Sequence, residues 1–423
     1  MQKIKNLPLD WKWVTIEDIT LPIDKTHPKK NPKDPFVYVD ISSIDNSINK
    51  ITDPKNYLGE DAPSRARQLI KKGDVLFSTV RTYLKNIAFV PEIYHGQIAS
   101  TGFSVLRAKE FVDSKFLFYY CLTQEFLEPL NSLQRGTSYP AVRDGDVRSQ
   151  PFPLPPLDEQ KIIVSKIEEL FSQLDAGVAG LKRVQSALKR YRASVLKAAF
   201  EGRLVPQDPN DEPAEELLQR IKKEPKKNKY QEELPSGWEW TTLQDISDII
   251  LGQSPPSSTY NFDGVGLPFF QGKAEFGKLY PTIQKWCSEP KKISEKGDVL
   301  ISVRAPVGPT NLSIEKCCIG RGLAAIRGKK IVLNRYILYY LRSIEKDWDK
   351  KSTGTTFKAI TGSVLRNSCI PLAPLQEQSK IVEKIETSIS SIDTLMSILE
   401  TEIRRGSGLR SSILKCAFSG KLI

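Results

Sequence analysis

The fold class predicted for this chain is α+β: two globular domains separated by two long antiparallel coiled-coil helices, arranged as an internal repeat with a pseudo-two-fold relation. Three observations predict it. The same short segments occur in the same order in both halves of the sequence. Each copy closes on apolar residues spaced by threes and fours, the seam of a coiled coil, which Ser388, Glu402 and Gly406 interrupt in the second copy. A proline cluster precedes each seam and marks where a helix begins. At 423 residues the chain is also too long for one compact core.

In chain order, LPLDWKWVTIEDIT from Leu7 is answered by LPSGWEWTTLQDIS from Leu234, and KKGDVLFSTVR (Lys71 to Arg81) by EKGDVLISVR (Glu295 to Arg304). FLFYY at Phe116 is answered by YILYY at Tyr336, RGTSYPAV at Arg135 by TGTTFKAI at Thr353, and PLPPLDEQ at Pro153 by PLAPLQEQ at Pro371. LKAAFEGRLV at Leu196 returns as LKCAFSGKLI at Leu414. The repeat places the first domain in 1–152, the first long helix in 153–205, a linker in 206–232, the second domain in 233–370 and the second long helix in 371–423. GDVLFSTV and GDVLISV read as buried strands, each reached through a Lys-Gly-Asp turn. Trp11, Trp13, Trp238 and Trp240, with the Tyr pairs 119–120 and 339–340, read as core more than as base-stacking groups.

The first seam runs through Ile163, Ile167, Leu170, Leu174, Val178, Leu181, Val184, Leu188, Tyr191, Val195 and Ala199. A helix from Leu157 to Glu201 is roughly 65–70 Å long at about 1.5 Å per residue, and needs a partner for its apolar stripe. The second copy supplies one through Ile381, Ile385, Ile392, Met396, Leu399, Leu409, Ile413 and Ala417. Gly406-Ser407-Gly408 is expected to loosen or break this second helix. The helix starts and ends are closer copies than the domains, so the helices are expected to present one surface twice to a common partner while the domains read different things. The alternative is that coiled coils simply tolerate less drift.

Composition narrows the function. The formal net charge of +12 favours a polyanionic partner. Six scattered cysteines without a CxxC pair fit reduced thiols, and two lone histidines, His27 and His95, give little for zinc binding or histidine catalysis. No apolar run reaches membrane-spanning length, so a cytoplasmic protein with no membrane partner is expected. Lys33-Asp34-Pro35-Phe36 lacks the second proline of an adenine-methyltransferase motif. Gly266 to Ala274 has the wrong spacing for a phosphate-binding loop. No catalytic or metal site of its own is therefore expected.

The twice-repeated PLPPLDEQ/PLAPLQEQ lead-ins, the two helix ends, the KGDVL segments and the GTS/GTT loops resemble the specificity subunits of type I restriction-modification systems over nearly the whole chain. The resemblance implies two target-recognition domains that read the halves of a bipartite, asymmetric sequence in double-stranded DNA. It implies two modification subunits that methylate adenine N6 along the helices, and restriction subunits that translocate and cut. S-adenosylmethionine, ATP and magnesium would be bound by those partners, and this chain would hold no cofactor. The rival reading is a free-standing sequence-specific or architectural DNA-binding protein, although no helix-turn-helix or zinc-finger signature is present.

Candidate DNA contacts lie on loops beside the strands. Arg135, Gly136, Thr137 and Ser138, with Arg143 nearby, have as counterparts Gly354, Thr355 and Thr356, flanked by Lys351 and Lys358. Glycine permits close backbone approach, and hydroxyl groups suit phosphate oxygens. An ordinary closing turn is the competing reading. Arg81 and Arg304 each follow the GDVL strand and are candidates for bidentate guanine contact, or equally for an internal salt bridge. Arg107 and Arg327 are candidates for tracking the DNA backbone.

Overall fold

The computed structural model describes residues 7–224, 233–351 and 359–422. The chain forms two compact units, Met1–Lys182 with Glu400–Ile423, and Arg183–Leu399. Each contains one globular domain, part of the first long helix (Leu157–Phe200) and part of the second (Leu375–Phe418).

In the first unit, Val75–Ser78 is a central strand buried at all four positions, Val75 to Phe77 as their apolar run requires and Ser78 with its hydroxyl bonded to Val80 O. It pairs antiparallel with Phe103–Ala108, Val75 opposite Leu106, and on its other side with Ile87–Phe89. Thr20–Leu21 completes this four-stranded sheet. A second four-stranded sheet has the order Lys55–Leu58, Pro35–Val39, Ile98–Ser100, Ala66–Leu69, with one parallel pair at its centre. Lys12–Thr15 pairs with Pro151–Leu154, tying the start of the domain to the strand that leads into the long helix.

The second unit repeats the scheme. Val299–Ser302 lies between Leu323–Gly328 and Thr310–Leu312, and Glu239–Thr242 pairs with Cys369–Leu372. Its other sheet has five strands, again with one parallel pair, Leu267–Phe270 beside Cys317–Ile319.

The Lys-Gly-Asp turns have a common purpose. Gly73 and Gly297 take φ of +88° and +85°, the region open to glycine. The following Asp74 and Asp298 are each about 1% exposed and accept forked hydrogen bonds from one guanidinium. Arg107 Nε and Nη2 each donate to Asp74 at 2.9 Å, and Arg327 Nε and Nη2 to Asp298 at 2.9 and 2.8 Å. The brace crosses from the turn to the neighbouring strand.

The repeated helix motifs are likewise structural. Gln160 and Gln378 are fully buried. Gln160 Oε1 accepts from the Asp113 backbone N–H at 2.8 Å while its amide donates to the carbonyls of Phe111 and Pro155. Gln378 does the same with Leu333 N–H and the carbonyls of Ile331 and Ala373. Beside them, the indoles of Trp11 and Trp238 donate to Glu159 and Glu377, each at 2.9 Å.

At the far ends, Phe418 packs on Phe116 and Tyr120 of the first unit, and Phe200 on Tyr336 and Tyr340 of the second. A Cβ on Gly420 would stand 2.3 Å from Pro8, and one on Gly202 2.0 Å from Pro235. The close copying of helix starts and ends, expected to serve a common partner, is thus accounted for at these residues by packing inside each unit.

Two further expectations are corrected. The second helix runs unbroken through Gly406-Ser407-Gly408. Gly406 is buried against the first helix, where a Cβ would lie 2.9 Å from Val178 Cγ2, so the glycine serves close helix approach. The helices are antiparallel there, since Asp175 faces Arg410 while Val178 faces Gly406. Val184 and Tyr191, placed in the seam by spacing, are 49% and 54% exposed.

Candidate nucleic-acid interface

In the first unit the segment 135–141 closes on itself. Arg135 and Ala141 exchange backbone hydrogen bonds of 2.9 and 3.0 Å, and Gly136 at φ +95° makes the bend. The loop is moored to the end of the central strand, with Val142 N–H donating to Thr79 O at 2.9 Å and Arg81 N–H to Pro140 O at 2.7 Å. Two candidate groups far apart in sequence therefore meet: Arg81 Nη2 donates to Ser138 O at 3.0 Å, and its guanidinium lies 4.9 Å from the centre of the Tyr139 ring. Gly136, Thr137, Ser138 and Tyr139 are all exposed, as are Arg135 and Arg143. Arg135 has a long contact of 3.9 Å to Asp146, and the Arg143 backbone N–H donates to the same carboxylate at 2.8 Å while its guanidinium forms no ion pair among the described residues. This is a basic, hydroxyl-bearing loop on a rigid mooring, suited to phosphate oxygens.

Arg81 is half-buried and engaged with its own loop, which favours a positioning role over direct guanine contact. It adopts a left-handed backbone, φ +49° and ψ +56°. Beyond it the hairpin Ile44–Asp45/Lys50–Ile51 leans on the same turn. Asn46 Nδ2 donates to Leu84 O at 2.8 Å, and Asn49 Nδ2 to Lys85 O and Ile87 O at 3.0 and 3.1 Å. Sequence reading missed this hairpin, although the cluster Asp45-Asn46-Ser47 between two isoleucines carries a turn signal.

The second unit differs at the same place. Arg304 forms a bridge with Ala359, and Ile360 N–H donates to Val303 O at 2.9 Å. The matching bridge in the first unit is Val80 with Ala141. Ser78 Oγ donates to Val80 O as Ser302 Oγ does to Arg304 O. Arg304 thus occupies the place of Val80, not of Arg81, and the two arginines are not counterparts. Arg304 is exposed. Gly354, Thr355, Thr356 and Lys358, and the side chain of Lys351, lie outside the described residues.

Arg107 and Arg327 leave the set of DNA-contact candidates. Their guanidinium forks are committed to Asp74 and Asp298, and the Arg107 side chain is only 13% exposed. The Asp74 hydrogen bonds hold the Arg107 guanidinium above its ordinary range. Of the tryptophans, Trp11 and Trp238 are core, while Trp13 is 42% exposed. Among the described residues no cluster of histidine, cysteine and carboxylate could hold a metal ion, and no helix is long and apolar enough to cross a membrane.

Comparison with known proteins agrees with this layout. The type I restriction modification DNA specificity domain matches residues 8–179 and again 235–405. The chain is 31% identical to the putative type I restriction enzyme MjaX specificity subunit of Methanocaldococcus jannaschii, over 99% of this chain and 95% of that protein. A chain from a solved structure concerned with complex assembly and conformational transition of the type I R-M system is 43% identical, with a TM-score of 0.85 over 98% of this chain and 99% of that one. The HsdS subunit from Thermoanaerobacter tengcongensis is 44% identical, with a TM-score of 0.67 over 98% of each chain. With two matched domains, each braced and clamped in the same way, the chain belongs to the type I restriction-modification DNA specificity family and is the sequence-recognition subunit of such a system.

Proposed function

We propose that this subunit reads the two halves of an asymmetric target with its two domains and carries two modification subunits along its helices, joined by restriction subunits. In this reading adenine-N6 methyl transfer from S-adenosylmethionine and ATP-driven cleavage belong to the partners, and the assembly works in the cytoplasm. The observation that carries the proposal is the contrast within each unit. A frame of Asp–Arg brace, Gln clamp and aromatic helix seat is repeated residue for residue, while the loops hung on it differ. Apolar side chains left exposed on the long helices, among them Ile162, Tyr191, Leu395 and Ile398, support a protein partner there.

The test is methyl transfer from labelled S-adenosylmethionine to DNA. The chain alone should transfer nothing, and addition of a modification subunit should switch activity on at one bipartite motif. Robust transfer by the chain alone would overturn the assignment of chemistry to the partners.

A further inference from the structure

Non-glycine residues with a left-handed backbone are uncommon, and where they cluster the surrounding structure holds the strain for a purpose. Four occur among the described residues: Asn49, Arg81, Lys85 and Lys222. Three of the four converge on the turn between Val75–Ser78 and Ile87–Phe89. Arg81 (φ +49°) and Lys85 (φ +55°) flank the single helical turn Thr82–Leu84, and Asn49 (φ +53°) braces it from the neighbouring hairpin.

Every side of the turn is tied. Its backbone is closed by Leu84 N–H to Arg81 O at 2.9 Å and Lys85 N–H to Thr82 O at 3.0 Å. Thr82 is buried and donates to Asn131 Oδ1 at 2.6 Å, and Gln134 donates to Thr82 Oγ1. Arg81 is held by Ser138 and Tyr139, and the two asparagines hold the carbonyls of Leu84 and Lys85.

What this bracing holds outward is apolar. Tyr83 is 52% exposed and Leu84 39%, with Ile48 at the tip of the bracing hairpin also half exposed. Exposed apolar side chains are ordinary singly, but an apolar tip held rigid from every side is prepared to meet a partner. Between Arg81 and Lys85, beside the loop that begins at Arg135 and is followed by the exposed Arg143, the tip stands where a polyanion would be drawn in. Basic groups bring the phosphates close, and an apolar tip can then meet base edges, as apolar side chains do with thymine methyl groups.

We propose that the Thr82–Leu84 turn is a base-reading element of the first domain, Tyr83 and Leu84 making apolar contacts to base edges of one half-site while Arg81, Asn46 and Asn49 position the turn. The proposal rests on the first domain being a DNA reader.

The test uses the chain assembled with its modification subunit and a duplex bearing the motif found by methylome sequencing. Affinity is measured for the target and for every single base-pair change, with wild type, Tyr83→Ala and Leu84→Ala. In wild type each wrong base pair should weaken binding roughly 5- to 150-fold. In each variant that penalty should shrink at least fivefold at one or two adjacent positions of one half-site. It should stay intact throughout the other half, which also reports that the assembly is folded. The slope of log affinity against log salt should be unchanged, because no phosphate contact is lost; loss of one would reduce it by about one unit. Tyr83→Phe should retain wild-type discrimination. Unchanged penalties at every position in both alanine variants would overturn the proposal, as would a uniform loss with a lower salt slope. A wild-type assembly that showed no sequence preference would instead overturn the reading of the domain itself.

Discussion

The turn after the central strand disposes its large apolar side chains in opposite ways in the two domains. In the first, residues 79–85 bury Thr79 and Thr82 and expose the large apolar side chains of Tyr83 and Leu84. In the second, the two valines point inward, Val303 and Val307 joining the core with Ile360 and Trp348, and the exposed tip is Arg304-Ala305-Pro306. Gly308 at φ +100° is packed so closely that a Cβ would lie 2.9 Å from the Trp348 ring. Both turns leave the same strand between the same neighbours, and both are bridged to the same following segment. The frame thus sets where a loop stands, while the loop's own sequence decides which of its side chains face solvent and which join the core.

The largest effect should come from exchanging the whole first domain. Replacing Leu9 to Gln150 with the matching segment of a relative of different specificity should rewrite one half of the methylated motif. The other half and the spacer should stay as they were, as methylome sequencing would show. If both halves changed, the two domains would not be independent readers.

Next in size are the braces. Arg107→Ala leaves the buried Asp74 carboxylate without its partner, which should cost about 3–5 kcal/mol. Arg327→Ala should cost clearly less, because the Arg327 side chain is 38% exposed and water can reach the site. Denaturant unfolding of the two variants would rank them, and equal losses would mean that exposure does not govern the brace.

The turns themselves should separate stability from recognition. Val307→Ala should lose on the order of 2 kcal/mol from buried methyl groups. Leu84→Ala should change stability by no more than about 0.5 kcal/mol. A large stability loss from Leu84→Ala would show that the first turn is core after all.

The smallest effect concerns pH. Burial pushes the Glu377 carboxyl above its ordinary value, opposed by the hydrogen bonds from Trp238 and Gln207. A raised carboxyl favours the protonated fold, so its contribution to stability is present below the ordinary carboxylate range and is lost as pH rises through the raised value. Glu377→Gln should flatten the fall of Tm with rising pH just above that range. An unchanged profile would remove Glu377 as its source.

The repeat made the architecture readable, because a segment written twice in the same order has few explanations. The central strands, the Lys-Gly-Asp turns and the helix starts all followed from local signals. What local signals do not carry is which distant partner a group finds. Arg107 looks the same in sequence whether it faces DNA or Asp74. Gly406 looks like a helix breaker until the second helix brings it against Val178. Arg81 and Arg304 align by their neighbours, yet one additional residue in the first turn places them one step apart. The Asn49 contacts to Lys85 and Ile87 span more than thirty residues and depend on left-handed backbone at Lys85 as well as at Asn49, and a lysine does not announce it.

The Gln160 and Gln378 amides bond almost wholly to main-chain groups of the domain they hold: N–H of Asp113 or Leu333, and C=O of Phe111 or Ile331. Main-chain groups are common to all residues, so such a socket is blind to the side chains plugged into it. A domain could arrive by recombination from a distant gene, carrying an unrelated surface, and still seat at once if it kept that backbone shape together with the tryptophan and the aromatic pair that meet the helices. New specificity would then spread as whole parts passed between lineages, with no need for the helix to adapt to each newcomer.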